Sequence, residues 1–230
     1  MPTSAPSINR FERRRAATRQ ALIHAARQIL AESGDTSVSI QTIADRADVG
    51  FGSFYNHFES KAALFDEAVL DALDEYGRAI DERLEGIGDP AERVAFGVRL
   101  SARMAETHPE IMRILRHRGL GHIHSDRGLS PRALDDLTTG ATSGRFTVSD
   151  PEIALSALGG SLLGLLDLHL TRPTGDSDKA AAAMAEMILR MLGVPAHEAL
   201  DIAHRPLPAD GSGRADPTAS PRRADLRHPS

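Results

Sequence analysis

Polar side chains that could contact nucleic acid lie close together near residue 55. Phe54 and Phe58 are four residues apart, so they can share one buried helix face. The side chains left on the exposed face carry hydroxyl, amide and imidazole groups alongside one aromatic ring: Phe51, Ser53, Tyr55, Asn56 and His57. Such groups pair with base edges and phosphates in the major groove of DNA. The stretch therefore predicts DNA binding, with an ordinary packed helix pair as the alternative.

A group of arginines lies before this stretch. Residues 10–19 contain five arginines and one glutamate, a local charge of +4 in a chain whose net charge is −5. Residues 1–61 hold eight Lys/Arg against six Asp/Glu, so the positive charge is concentrated at the N-terminal end. A charge run by itself is typical of a solvated helix start, whereas beside a DNA-binding motif it indicates an arm that faces phosphates.

Histidines suggest a rival chemistry. His117, His122 and His124 are close in sequence, with Asp126 as a fourth possible metal ligand. Their spacing matches no common metal site, and the flanking glycines indicate a loop. The chain has no cysteine, and no catalytic triad order, phosphate-binding glycine loop or H-E-x-x-H motif occurs in a supporting context. The sequence therefore predicts no enzyme activity, no metal and no other cofactor.

Two short helices joined by a tight turn are needed to position the polar residues near Tyr55. Ser39 can cap a first helix over about residues 40–47, in which apolar residues recur at helical spacing. Asp48 tolerates the left-handed conformation that a sharp turn requires, and Gly50 and Gly52 permit close backbone approach. A second helix over about residues 51–57 follows. This pattern predicts a helix-turn-helix.

The stretch IADRADVGFGSFYNHFESKAALF resembles the signature of the TetR family of bacterial transcriptional regulators. The shared features are Ile-Ala, a small-residue turn, Tyr-x-His-Phe and a lysine three residues later. Asp48 stands where the family commonly has glycine, and Gly50 replaces the common Ser or Thr cap, so a phosphate contact from that hydroxyl is absent. The resemblance implies an all-α fold with an N-terminal helix-turn-helix three-helix DNA-binding domain and a C-terminal helical ligand-binding and dimerisation domain.

By position, the resemblance also implies contacts with double-stranded DNA. Phosphate contacts are carried over to Tyr55, His57 and Lys61. Base or phosphate contacts are carried over to Ser39, Gln41, Thr42, Phe51, Gly52, Ser53 and Asn56. Two recognition helices related by a twofold axis would bind a palindromic operator. The resulting interpretation is a ligand-responsive transcriptional repressor.

The remaining chain is long and apolar enough to bury a sizeable core, with 41% hydrophobic residues among 230. Helices are expected over about residues 10–33 and 61–84. Prolines then recur every 19 to 22 residues from Pro90 to Pro195 and predict helices at 90–106, 109–119, 130–140, 151–171, 177–192 and 196–204. The expected divisions are 1–9 disordered, 10–60 DNA-binding, 61–204 effector-binding and dimerisation, and 205–230 a disordered tail.

Helix 151–171 has no charged residue from Ile153 to Leu166, and a helix that is apolar on all sides is expected to be buried on all sides. The resemblance implies that it forms a homodimer interface with helix 177–192; an ordinary core helix of a monomer is the alternative. No signal peptide and no run of about 18 apolar residues is present, which predicts a cytoplasmic protein with no membrane partner.

A small-molecule effector is expected between helix 61–84 and helices 90–106, 109–119 and 151–171, where it could tilt helix 61–84 and move the recognition helix. The candidate lining residues are Phe96, Leu100, Met104, Met112, Leu115 and Leu166, with Arg116 and His117 as polar groups. Since the chain has no tryptophan and two tyrosines, an aromatic cage for a cation is disfavoured, and a neutral or anionic apolar effector is expected. The alternatives are a packed core without a cavity, and a helical small-molecule or metal-binding protein without operator-specific regulation.

Overall fold

The computed structural model describes residues 9–107, 115, 119–171 and 176–208. These residues form α-helices and one short 3₁₀ helix, Gly119–His122, without a strand among them, which confirms the all-α fold class. The α-helices are α1 (Arg10–Ser33), α2 (Ile40–Arg46), α3 (Phe51–Phe54), α4 (Lys61–Arg83), α5 (Pro90–Thr107), α6 (Ser130–Thr142), α7 (Pro151–Thr171), α8 (Ser177–Met191) and α9 (Ala196–His204).

Several predicted features lie outside the described residues. The predicted helix 109–119 is among them, apart from the helical Leu115 and Gly119 at the start of the 3₁₀ helix. The expected disordered segments 1–9 and 205–230 are too, except for Asn9 and residues 205–208. Asn9 caps α1: its side chain accepts a hydrogen bond from Phe11, and Glu12 accepts one from the Asn9 backbone. The ordered part of the chain therefore includes residue 9.

Helices α1 to α4 pack around one apolar core, because each contributes a stripe of buried side chains. The largest fully buried ones are Leu22, Ile23, Leu30, Ile43, Phe54 and Leu64. Ser39 caps α2 by accepting a hydrogen bond from the Thr42 amide at 3.0 Å, as predicted. Gly34 ends α1 in the left-handed conformation, with φ of 65°.

The turn between α2 and α3 depends on Asp48. Its φ of 52° is the one positive value found for a non-glycine residue in the described part of the chain. Aspartate is among the few side chains that tolerate this conformation. The amide of the next residue, Val49, donates to the carbonyl oxygen of Ala44 at 3.0 Å and closes the turn.

Helix α3 is shorter than predicted. It is α-helical over Phe51–Phe54, and residues 55–57 form turns. The His57 amide donates to the Phe54 carbonyl oxygen at 3.0 Å, and the Asn56 amide to that of Ser53 at 3.3 Å, so this turn is tightened to three-residue spacing. The prediction of a helix reaching residue 57 was wrong, because burial of the Phe54 and Phe58 rings holds the segment without a longer helix.

Helices α5 to α9 form a second core. α5 packs on α6, α7, α8 and α9. At one end of this core Gly140 in α6 lies directly against the ring of buried Phe146. Beside it, Arg145 donates to Asp89 at 2.8 and 2.9 Å and to Glu198 at 2.8 Å, which joins the start of α5 to α9. These bonds lower the pKa of Asp89 and raise that of Arg145.

Helix α4 links the first core to α5, with which its C-terminal end forms a separate small apolar cluster. Its first half packs against α1, and the same apolar cluster continues to Leu115 and Leu166. Its last turns pack Ile80 and Leu84 against α5. The Tyr76 hydroxyl donates to the Leu100 carbonyl oxygen at 2.6 Å, a further tie between α4 and α5.

Helix α7 is partly exposed in a single copy of the protein. By its length and composition alone α7 could cross a membrane, but the core helices of soluble proteins often have the same length and composition. Within one copy of the protein, 28% of its most apolar stretch is buried. Large apolar side chains on α7 and α8 face outward: Ile153, Leu168, Met187 and Met191. A single copy of the protein covers one face of the helix, so the predicted burial of its other face by a partner subunit stays a prediction.

Candidate nucleic-acid interface and effector cavity

The exposed residues of the helix-turn-helix lie where the sequence predicted them. Phe51 and Tyr55 are 47% and 57% exposed. Their rings meet edge to face with centroids 5.9 Å apart, and Tyr55 also contacts Phe54 at 5.4 Å. Ring packing thus fixes the direction of the Tyr55 side chain while its hydroxyl stays available to a phosphate.

Four of the predicted DNA-contacting side chains also have partners within the protein. The Ser39 hydroxyl lies 2.8 Å from that of Thr42. Gln41 donates to Asp45 at 2.6 Å. Lys61 Nζ donates to the carbonyl oxygens of Ser37 and Val38, at 3.0 and 2.7 Å. Lys61 therefore joins the start of α4 to the segment before α2, whether or not it also meets DNA.

A groove of about 440 Å³ separates the N-terminal part of α1 from residues 51–57, the recognition segment. Arg14 and Arg15 line one wall, and Ser53, Asn56 and His57 line the other. Burial, together with the positive charges of Arg15 and Arg19, lowers the pKa of His57, so its imidazole is neutral near pH 7. The groove joins positive charge to groups that can pair with bases, which is the chemistry of a DNA-binding surface.

The apolar interior between α4, α5 and α7 contains a small cavity of about 90 Å³. Leucines supply most of its wall, including Leu73, Leu158 and Leu166. The segment from the 3₁₀ helix to the start of α6 closes it and contributes the polar residues His122, Arg127 and Ser130; Ser101 of α5 is the fourth. Such a leucine-lined site with few polar groups suits a small apolar ligand.

The predicted effector-contacting residues divide into three groups. Leu115 and Leu166 line the cavity. Phe96 and Leu100 do not: they are buried against Ile80 and Leu84. Their helical periodicity indicates burial but does not tell which neighbour covers them. The Met104 side chain and residues Met112, Arg116 and His117 lie outside the described residues.

The polar residues of the cavity wall were missed from the sequence. The Ser130 hydroxyl donates to the carbonyl oxygen of His122 at 2.8 Å, and α6 begins at Ser130 itself. His124 lies 2.8 Å from the Ser156 hydroxyl, away from the wall position of His122. Among the described residues no group of three His, Asp or Glu side chains could hold a metal ion.

Ion pairs connect the cavity wall to the DNA-binding helices. Arg127 donates to Asp74 at 3.0 Å and pairs with Glu67, both on α4. Glu67 also pairs with Arg19 of α1 at 3.2 Å. The Arg19 guanidinium in turn lies over the Phe58 ring, 5.1 Å from its centroid. One carboxylate, that of Glu67, is therefore shared by the cavity wall and by α1.

Asp74 holds the wall segment a second time. Its carboxylate accepts a hydrogen bond from the Gly128 amide at 2.6 Å besides those from Arg127. Burial acts to raise the pKa of Asp74, but the Gly128 hydrogen bond and the arginine charges more than offset it, so that the pKa is lowered. The carboxylate therefore stays ionised, and the segment stays attached to α4, at any pH near neutral.

Two sequence profiles match most of the chain. The profile described as "Bacterial regulatory proteins, tetR family" matches residues 22–68, which hold the helix-turn-helix. The profile described as "Tetracyclin repressor-like, C-terminal domain" matches residues 89–205.

The chain is also similar to individual proteins along its sequence and in its fold. The structure of RolR in complex with resorcinol is 34% identical, covers 86% of this chain and 98% of its own, and superimposes with a TM-score of 0.66. The HTH-type transcriptional repressor DhaR of Mycobacterium sp. (strain GP1) is 35% identical over 79 residues, which are 34% of this chain and 40% of DhaR. A probable acrEF/envCD operon repressor of Escherichia coli (strain K12) is 27% identical over 191 residues, 76% of this chain and 86% of that protein.

Proposed function

Because the chain belongs to the TetR family and is a DNA-binding transcriptional regulator, we propose that it is a homodimeric repressor that a small apolar effector releases from a palindromic operator. The observation that carries this proposal is the leucine-lined cavity beside α4, whose wall shares Glu67 with the DNA-binding helices. The proposal assigns residues 10–60 to DNA binding and 61–204 to the effector and the partner subunit. It includes no catalytic step.

Operator release would follow from the two attachments of α4. A ligand that enters the cavity pushes on the wall at Leu73 and Arg127, and both are held by α4 or belong to it. Since α4 also packs against α1, its displacement changes the position of the recognition helix relative to its twofold mate. Coupling is reciprocal: an effector that weakens operator binding ~100-fold must itself bind the operator complex ~100-fold less tightly.

The shared carboxylate of Glu67 gives a specific prediction. Replacing Glu67 with glutamine keeps the shape of the side chain but removes the charge that holds Arg127 and Arg19 together. We expect the ratio of operator affinities without and with effector to fall by roughly two- to thirtyfold, because a change along such a network alters coupling by about 0.5–2 kcal/mol. Fluorescence anisotropy with labelled operator and resorcinol as the effector measures this ratio.

The matched control is Glu75→Gln. Glu75 also lies on α4 and pairs with an arginine of α1, Arg27 at 2.6 Å, but it is 62% exposed and does not contact the cavity wall. This variant should keep the wild-type ratio. Equal ratios in the Glu67 variant and the wild type would contradict a role for Glu67 in coupling.

The proposed DNA contacts separate by kind. Tyr55→Phe removes one hydroxyl while keeping the ring on Phe51 and Phe54, so we expect binding to weaken roughly three- to tenfold on all DNA sequences alike, by the ~1 kcal/mol of one hydrogen bond. Ser53→Ala and Asn56→Ala should instead change the preferred bases. Selection from random DNA followed by mobility shift measures both effects. A Tyr55→Phe variant that changes base preference would contradict this assignment.

The alternative is a helical small-molecule-binding protein without operator-specific regulation. This alternative explains the cavity but not the groove between α1 and the recognition segment. Arg14, Arg15, Ser53 and His57 line that groove. The same selection experiment distinguishes the two. An enriched palindrome with half-sites about one helical turn apart or more supports the repressor, and the absence of any enriched sequence supports the alternative.

A further inference from the structure

Ser101 stands between two cavities. Besides the cavity of about 90 Å³, a second one of about 70 Å³ lies between α4, α5 and α6. Four residues line both: Ser101, Leu129, Leu158 and Leu162. Small movements of the three leucine side chains would therefore join the cavities, with Ser101 at the junction.

Ser101 is buried, with 7% of its surface exposed, and its hydroxyl has no hydrogen-bond partner among the described residues. Two other helical serines of the protein satisfy their hydroxyls locally. Ser33 donates to the carbonyl oxygen of Ile29 at 3.1 Å, and Ser161 to that of Ala157 at 2.7 Å, each four residues earlier. A buried hydroxyl without a partner is unfavourable, so a ligand that pairs with it gains affinity.

The size and shape of the two cavities limit the ligand to about one ring. Their combined volume is close to that of an engineered apolar cavity of about 150 Å³ that takes up benzene. Apolar side chains cover most of the surface on either side of Ser101, among them Leu155 and Leu163 in the first cavity and Val94 and Val98 in the second. A flat ring can therefore lie across the junction.

The charges of the described wall residues disfavour an anionic ligand. Each arginine among the described lining residues already has a carboxylate partner: Arg127 has Asp74 and Glu67, Arg93 has Asp136 at 2.5 Å, and Arg132 has Asp81 at 2.6 Å. A carboxylate ligand would have to displace one of these acids or be buried without a counter-charge, and both are costly. A neutral ligand meets neither cost.

We propose that Ser101 is the residue that selects the effector, and that the effector is a neutral single aromatic ring bearing hydroxyl groups, one of which pairs with Ser101. This inference rests on the proposed effector response and narrows it from neutral or anionic ligands to neutral ones. Pairing with Ser101 makes the site selective, because a buried group that binds a hydroxyl discriminates against rings that lack the hydroxyl.

The test uses benzene, phenol, resorcinol and benzoate as probes, with dissociation constants from calorimetry on the full chain. Wild type should prefer phenol and resorcinol to benzene and should bind benzoate weakest. Ser101→Ala should weaken phenol and resorcinol roughly three- to tenfold and leave benzene unchanged or tighter, as expected for the loss of one hydrogen bond. Ser101→Thr, which keeps the hydroxyl, should retain the preference for hydroxylated rings.

The matched control is Ser161→Ala on α7, which removes a hydroxyl that lines neither cavity. Thermal melting should show Ser101→Ala folded, because no hydrogen bond to a described residue is lost. The inference is overturned if Ser101→Ala keeps the wild-type preference, if benzoate binds best, or if wild type binds none of the neutral rings.

Operator release is measured separately with the same variants, which distinguishes the two proposals. If the rings bind in a Ser101-dependent way but leave operator affinity unchanged, the selectivity inference stands and the proposed regulation fails. If they release the operator equally from wild type and Ser101→Ala, the regulation stands and the role of Ser101 fails.

Discussion

Replacing Met187 with glutamate is expected to convert a dimer into monomers and to weaken operator binding about 100-fold or more, because a two-headed protein gains ~10²–10⁴ in affinity from its second head. Met187 lies on α8 and is 56% exposed. On the neighbouring helix α7, the apolar side chains of Ile153 and Leu168 are also exposed. In a twofold interface the same residue occurs on both sides, so one substitution buries two unpaired carboxylates. Each costs several kcal/mol.

Sedimentation equilibrium at micromolar concentration and mobility shift on a palindromic operator measure the two effects. Leu120→Glu is the control, since Leu120 is also an exposed apolar residue, 76% exposed, but lies on the 3₁₀ helix away from α7 and α8. It should remain dimeric with wild-type operator affinity. A wild-type protein that is monomeric at this concentration, or a Met187→Glu variant that stays dimeric, would refute the proposed interface.

A single methyl group at Gly140 is expected to destabilise the fold more than any other change proposed for the core. A Cβ atom there would overlap the ring of Phe146, which is buried and has little room to move. Overpacking of this kind costs about 1–3 kcal/mol or more. For a chain of this size we expect the melting temperature to fall by roughly 5–10 °C.

Gly97→Ala is the matched control for Gly140→Ala. Gly97 also lies inside a helix, α5, but an added Cβ atom there meets nothing within 4 Å. The higher helix propensity of alanine should then raise stability by up to ~1 kcal/mol. Both variants are compared by thermal melting at the same protein concentration, because the stability of the proposed dimer would depend on that concentration. A Gly140→Ala variant as stable as Gly97→Ala would show that the Phe146 ring can move.

Features fixed by neighbours in sequence were predictable. Ser39 and Ser60 cap α2 and α4 through amides three residues away, and Gly34 ends α1 through its own conformation. The left-handed turn at Asp48 could be inferred for the same reason. These signals act within one helical turn, so the sequence contains all the information they need.

Features fixed by distant contacts were not predictable. The wall segment that contains Arg127 and Gly128 takes its place through Asp74 and Glu67, more than fifty residues earlier. No local pattern records that pairing, and so the polar residues of the cavity were missed. Likewise, the apolar sequence of α7 indicates burial but cannot tell whether its own chain or a second copy provides the cover.

The hydrogen bond between Tyr76 and the Leu100 carbonyl oxygen allows ligand binding to be followed by intrinsic tyrosine fluorescence. The chain has no tryptophan and two tyrosines, so its ultraviolet emission comes from Tyr55 at the DNA-binding surface and from Tyr76 at the α4–α5 contact. The residue that accepts the Tyr76 hydrogen bond, Leu100, directly precedes Ser101. Any change in that hydrogen bond alters the Tyr76 quantum yield. In a Tyr55→Phe variant Tyr76 is the one tyrosine left, and a ligand titration can then be followed by fluorescence without an attached dye.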